Sequence, residues 1–97
     1  MSTQQIGHFI HGAPHAGTSG RSQPVTNPAT GTVTGQVALA NHADVAQAVA
    51  AAQAAFPAWA DATPLRRARV MFKFLELLHI HKDALAHAIT AEHGKVF

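Results

Sequence analysis

The sequence predicts an α+β chain, a strand and a β-hairpin before Ala40 followed by three α-helices. Three observations carry that expectation. Gly, Pro, Thr and Val crowd the residues up to Ala40, whereas Ala, Leu and charge dominate from Asn41 onward. Asn27-Pro28-Ala29-Thr30-Gly31 is a strong turn signal between two strand-like segments. Two helix starts are written as caps, Asn41 with Asp44 three residues on, and Thr63 followed by Pro64.

Taken in order, Gly7-His8-Phe9-Ile10-His11-Gly12 reads as a short strand bracketed by glycines. Gly12 to Arg21 reads as a loop, because its glycines and Pro14 speak against regular structure. Ser22 to Thr26 fits only an edge strand, since Pro24 cannot donate to a ladder. Beyond the turn, Val33, Gly35, Val37 and Leu39 alternate with Thr34, Gln36 and Ala38, the pattern of a half-buried strand. Strands and hairpin are thus expected within about 7–39.

The first helix is expected over about 42–56. Val45, Ala48, Val49, Ala52, Ala55 and Phe56 recur at helical spacing, and Pro57 should stop or sharply kink the helix, leaving Trp59 in a short irregular turn. The second is expected over about 64–80, with Ala68, Met71, Phe72, Leu75 and Leu78 on one stripe and Val70, Phe74 and Leu77 beside it. Such a helix needs cover on more than one side. The third, about 82–93, is built around Leu85, Ala86 and Ile89 and ended by Gly94. The join at Ile80-His81 lacks Gly or Pro, so a helix running straight through stays open.

Composition narrows the chemistry. At 97 residues the chain suits one domain or less, and a chain of that size buries only ~60–65% of its unfolded surface. With no cysteine there is no disulfide, thiolate metal site or thiol nucleophile. Seven Lys and Arg against five Asp and Glu give a net charge of +2, too small an excess to identify an anionic partner. No stretch suits a membrane span. The opening Met1-Ser2-Thr3-Gln4-Gln5 lacks the basic flank and apolar block of a secretory signal, so a cytoplasmic location is expected by elimination.

Candidate sites read blandly one by one. His79 and His81 point to nearly opposite sides of a helix, although His79, Asp83 and His87 would share a face if the helix ran straight. His8, His11 and His15 are spread over a strand and a loop. Ser2, Ser19 and Ser22 have no nucleophile elbow around them, and neither Glu76 nor Glu92 lies beside a nucleophile. Gly17-Thr18-Ser19-Gly20, Gly31-Thr32-Val33-Thr34-Gly35 and Gly94-Lys95 match no phosphate-cradling loop. Of the run Arg66, Arg67, Arg69 and Lys73, the cations in the first turns oppose the dipole of their own helix at ~0.3–1 kcal/mol each when exposed, and Arg69 and Lys73 repel at i and i+4. Asp61 and Glu76 are partial answers. The remaining readings are pairing with carboxylates elsewhere in a larger fold, or a stand-alone module whose basic helix Arg66–Lys73 binds nucleic acid or a calmodulin-like partner.

The order of these elements resembles the start of the aldehyde dehydrogenases. Gly7-His8-Phe9-Ile10-His11-Gly12 is similar to their opening strand, and Thr26-Asn27-Pro28-Ala29-Thr30-Gly31 to their hairpin turn. Asp44-Val45-Ala46-Gln47-Ala48-Val49, Ala54-Ala55-Phe56-Pro57-Ala58-Trp59 and Glu92-His93-Gly94-Lys95 resemble their first and third helices. Arg66-Arg67-Ala68-Arg69-Val70-Met71-Phe72-Lys73-Phe74 and Leu85-Ala86-His87-Ala88-Ile89-Thr90 resemble the CoA-acylating, methylmalonate-semialdehyde branch most. Single motifs are moderately specific, and five in order are strong.

The resemblance implies an α/β family fold with a doubly wound NAD-binding domain, of which residues 1–97 would be the N-terminal segment. It also implies a catalytic domain and an oligomerisation hairpin, in dimers or tetramers. The implied chemistry runs through a cysteine thiolate, hydride transfer to NAD and acyl release to CoA. The cysteine, the nicotinamide-binding glycines and the oxyanion-stabilising asparagine all fall in parts beyond Phe97. No catalytic, cofactor-binding or metal-ligating role is therefore carried onto this segment. NAD and CoA are expected in the whole family protein and neither on this piece alone. Its expected partners are the remainder of the dehydrogenase chain and, in the whole protein, further copies, with no nucleic acid and no membrane. Val25, Thr26 and Glu92 match positions near which some members hold a structural monovalent cation, and no metal is assigned to them.

Overall fold

The computed structural model describes residues 3–97. Its elements are β1 (Gln4–Ile6), β2 (His8–Ile10), β3 (Ala13–His15), β4 (Ser22–Thr26), β5 (Val33–Ala38), α1 (His42–Asp61), α2 (Pro64–Ile80) and α3 (Lys82–His93). The fold is α+β, short strands followed by three helices. Three strands form one sheet in the order β1-β5-β4, and β2 and β3 form a separate ribbon.

The strand region departs from the sequence reading in two places. The segment expected as one strand between Gly7 and Gly12 is broken at Gly7, and an additional strand, β1, precedes it. β1 lies parallel to β5, with Gln4 opposite Gly35 and Ile6 opposite Val37. Gln4-Gln5-Ile6 has no alternation to reveal it, and its ladder comes from residues far along the chain. At Gly7 the backbone crosses from sheet to ribbon so close to the His15 carbonyl that a Cβ would sit on that oxygen.

The second departure is β3, which occupies part of the expected irregular loop. β3 pairs antiparallel with β2, Phe9 facing Pro14. Pro14 is tolerated because a two-stranded ribbon consists only of edge strands. The connection is the two residues His11 and Gly12, both left-handed at φ 54° and 72°, which is the requirement of a type I′ hairpin turn.

The β4–β5 hairpin closes through the turn at Asn27. Asn27 donates its N–H to Thr32 O at 2.8 Å, Gly31 donates to Asn27 O at 2.7 Å, and Thr30 to the same oxygen at 3.3 Å. The Asn27 side chain accepts from Ala29 N–H at 2.9 Å. Gly31 supplies the left-handed residue, φ 74°. A register shift between Val25 and Thr26 lets the turn join a twisted pair.

Pro57 does not end α1, which runs on to Asp61 with Trp59 inside it. A proline disturbs the turn that precedes it, by removing an N–H and crowding the carbonyl four residues back, while its own φ suits a helix. Alanines on either side supply the best available propensity, and the helix gains one more turn. It ends where Ala62 becomes extended, its N–H donating to Trp59 O. Thr63, also extended, then caps α2 by accepting Arg66 N–H on its hydroxyl at 3.2 Å. The join at His81 is a break, with φ −101° and ψ 15°, and α3 stops at left-handed Gly94, φ 80°.

These elements do not enclose a core. Among the described residues Ile10 is the one buried apolar side chain, and neither α2 nor α3 buries any residue. The radius of gyration is 17.2 Å, against ~13 Å for a compact chain of this size. The molecule is spread over 49 × 35 × 18 Å. Phe72, Phe74, Leu75 and Ile80 on α2 lie open, Phe72 at 67% exposure. The excess of apolar surface suspected from the sequence of this helix is present on the whole length of the α2–α3 pair.

Candidate functional site

The best-organised polar cluster stands at the N-terminus of α1. Asn41 is the N-cap and Asp44 the third helical residue, and the two close a reciprocal capping box. Asp44 N–H donates to Asn41 Oδ1 at 2.8 Å, and Asn41 N–H donates to Asp44 Oδ2 at 3.2 Å. Asp44 then reaches beyond its own helix. Thr18 donates its hydroxyl to Asp44 Oδ1 at 2.8 Å and its backbone N–H to the two carboxylate oxygens at 3.1 and 3.2 Å. Asn41 Nδ2 donates to Thr18 Oγ1 at 2.9 Å. One carboxylate, 4% exposed, thus caps a helix and anchors the segment between β3 and β4. Ser19 Oγ donates to Leu39 O beside it, and Arg21 donates to Ala40 O at 3.0 Å.

The Thr18 hydroxyl is the main influence holding the Asp44 carboxyl below its ordinary value; burial pushes the other way, and the Asn41 and Thr18 amides and the His8 imidazole add to the lowering. Because the folded state favours the ionised form, Asp44 contributes stability above its unfolded-state pKa and loses it as pH falls through the folded one. Asp44→Asn is expected to unfold at lower urea than the parent at neutral pH, the gap narrowing through the carboxylate range. Urea midpoints at a series of pH values, on a dehydrogenase chain that carries these residues, measure this, and a gap that stays constant on acidification would refute it.

This cluster was not evident in the sequence. Asp44 is legible as a helix-start residue, but nothing local marks Thr18 as its partner 26 residues earlier. Gly17 can be recognised only from structure, where it turns at φ 82° against His8.

The other candidates remain dispersed. The break at His81 removes the straight helix that would have aligned His79, Asp83 and His87. Among the described residues no three His, Asp or Glu side chains stand close enough to hold a metal ion. Lys73 pairs with Glu76 at 3.3 Å, both exposed. Among the described residues Arg66, Arg67 and Arg69 meet no carboxylate within 4.0 Å, Asp61 included. Ser22 begins β4 and Ser19 fastens the loop, whereas Ser2 lies outside the described residues. Val25 and Thr26 end β4, and Glu92 precedes the α3 terminus. A Cβ on Gly94 would lie 3.2 Å from Pro28 Cγ, so that terminus abuts the hairpin turn.

Among the described residues no glycine-rich turn leads from a strand into a helix N-terminus. A dinucleotide cradle needs such a turn, opening on an unoccupied helix N-terminus. Here β5 leads into α1 through Leu39, Ala40 and Asn41, and the helix start is already filled by the Asp44 carboxylate. No thiol is present to attack a carbonyl.

Comparison with known proteins accounts for a chain with this order of elements and so little core. The aldehyde dehydrogenase family profile matches residues 15–97. The chain belongs to the aldehyde dehydrogenase family, a family of oxidoreductases. It is 43% identical over 95 residues to malonate-semialdehyde dehydrogenase 3 of Geobacillus kaustophilus (strain HTA426), a match covering 98% of this chain and 20% of that protein. It is 41% identical over 88 residues to malonate-semialdehyde dehydrogenase of Pseudomonas aeruginosa PAO1, covering 91% of this chain and 18% of that one. Among solved structures, it superposes on a protein described as a methylmalonate-semialdehyde dehydrogenase, from Sinorhizobium meliloti 1021 and complexed with NAD. The TM-score there is 0.92 at 51% identity, over 95% of this chain and 19% of that one. The methylmalonate-semialdehyde dehydrogenase DddC of Oceanimonas doudoroffii gives 0.89 at 48% identity, over 94% of this chain and 18% of that one. The chain therefore spans about a fifth of the length of the relatives it matches. Among the described residues no helix is long and apolar enough to cross a membrane.

Proposed function

We propose that these residues are the N-terminal part of an NAD-dependent, CoA-acylating dehydrogenase that oxidises malonate or methylmalonate semialdehyde to an acyl-CoA. Their role in it is structural: a flanking segment of the NAD-binding domain, completed by the remainder of the dehydrogenase chain and working in a cytoplasmic homo-oligomer. The single observation that carries this reading is the superposition at TM-score 0.92 and 51% identity on a methylmalonate-semialdehyde dehydrogenase of five-fold greater length. The open α2–α3 surface agrees with it, since helices that bury nothing are stable only when something else covers them.

In this reading the cofactors supply their chemistry elsewhere in the protein, and residues 3–97 hold neither of them. The capping box at Asn41 and Asp44 fixes α1 to the strand region, and the α3 terminus seats on the Pro28 turn. Both contacts fix the orientation in which the helices would meet the rest of the enzyme. A chain of these 97 residues, given malonate semialdehyde, NAD and CoA, is expected to form no NADH, because thiol-ester chemistry needs a thiol. The same assay on a chain continuing through a catalytic cysteine should form NADH in proportion to CoA thioester. NADH production by the 97-residue chain would refute the structural role. An active longer chain that makes free acid with or without CoA would refute the acylating assignment.

A further inference from the structure

β2 and α1 meet at a histidine without a polar partner. The His8 Nε2 atom is shielded from water and makes no hydrogen bond. It stands 4.0 Å from Asp44 Oδ2, pressed against Gly17, where a Cβ would come within 2.9 Å of the same nitrogen. An unpaired buried nitrogen is rare enough to require a reason. Its nearest remedy is Asp44, about an ångström beyond charge-assisted hydrogen-bond distance.

We infer that His8 is a proton-operated clasp. Its imidazolium form donates Nε2–H to Asp44 Oδ2 and fastens β2 to the start of α1, drawing in the 16–21 segment as well. Its neutral form offers there only an uncharged Nε2–H in one of its two tautomers, a weaker hold that leaves that segment mainly to the Thr18 bonds. The titratable groups facing His8 come from two elements. Asp44 approaches from α1, and its carboxyl, held below its ordinary value by Thr18, stays charged where an imidazole takes up a proton. From β3, His15 lies directly opposite His8 in the ladder, and a proton on it works against one on His8. The carboxylate is a full charge close by, and the positive end of α1 is already offset by that same carboxylate. The clasp follows from local geometry and does not depend on the enzymatic reading above.

Hydrogen exchange on the longest dehydrogenase chain that carries these residues tests it, followed by mass spectrometry and corrected for intrinsic rates. Protection of the 16–21 segment should rise about two- to three-fold from about pH 8 to about pH 5.5 in the parent. His8→Gln, neutral throughout, should show a flat profile, and His15→Gln should keep or enlarge the rise. A parent profile that is flat or falls on acidification overturns the clasp, as does a rise that persists in His8→Gln. Should His8→Gln fail to fold, His15→Gln still decides, because a rise abolished by removing the opposing histidine would show that His15 carries the effect.

Discussion

Gly7→Ala is expected to destabilise the strand region by about 1–3 kcal/mol or more, the cost of forcing an atom into a packed site that cannot yield. The obstruction is the His15 carbonyl oxygen, backbone on the neighbouring strand, with His15 C and Ala16 Cα close behind. Nothing there can rotate aside, so β2 would have to shift away from β3. Gly12→Ala is the matching control. Its φ of +72° is strained for alanine, but the space around it is open, so it should cost about 1 kcal/mol, clearly less than Gly7→Ala. Denaturant midpoints at constant slope measure both on one dehydrogenase chain. Equal costs at the two glycines would mean that the close approach at Gly7 is not a constraint.

Pro57→Ala should act in the opposite direction. Pro57 is exposed and lies inside α1, so alanine gives up no packing and restores a donor for the carbonyl four residues back. Interior proline is about 3 kcal/mol worse than alanine in a helix. Proline also restricts the unfolded chain, which returns about 0.4–1 kcal/mol in its favour. A net gain of about 2 kcal/mol is expected, seen as a higher denaturant midpoint and more helical circular dichroism. An unchanged or lower midpoint would mean that Pro57 makes contacts, in the complete enzyme, that outweigh its cost to the helix.

The residues involved explain which parts of the fold can be read from sequence. Caps are local chemistry. Asn41 with Asp44, Thr63 with Pro64, and Gly94 mark element ends within a few positions, and the structure uses each of them. The Asn27 to Gly31 turn is legible for the same reason. β1 is not, because Gln4-Gln5-Ile6 is a strand only by virtue of a parallel neighbour about thirty residues away. The ribbon was obscured by Pro14, whose prohibition applies to interior strands and not to an edge. Pro57 obstructs the residues upstream of it and leaves those downstream free to stay helical. The Thr18–Asp44 anchor and the His8 contact are tertiary, and no spacing in the sequence encodes them. Chemistry is not legible for a different reason: the residues of the sequence include no thiol and no nucleophile beside a general base.

The central claim is that α2 and α3 are surfaces to be covered, held in place by their attachment to α1 and the Pro28 turn. Hydrogen exchange across α2, measured on the 97-residue chain alone and again within a complete dehydrogenase, tests it most directly. Isolated, the amides of Pro64–Ile80 should exchange near unfolded rates, without a sharp thermal transition, and in the longer protein they should be strongly protected. A monomeric 97-residue chain that melts cooperatively with α2 already protected would contradict the account.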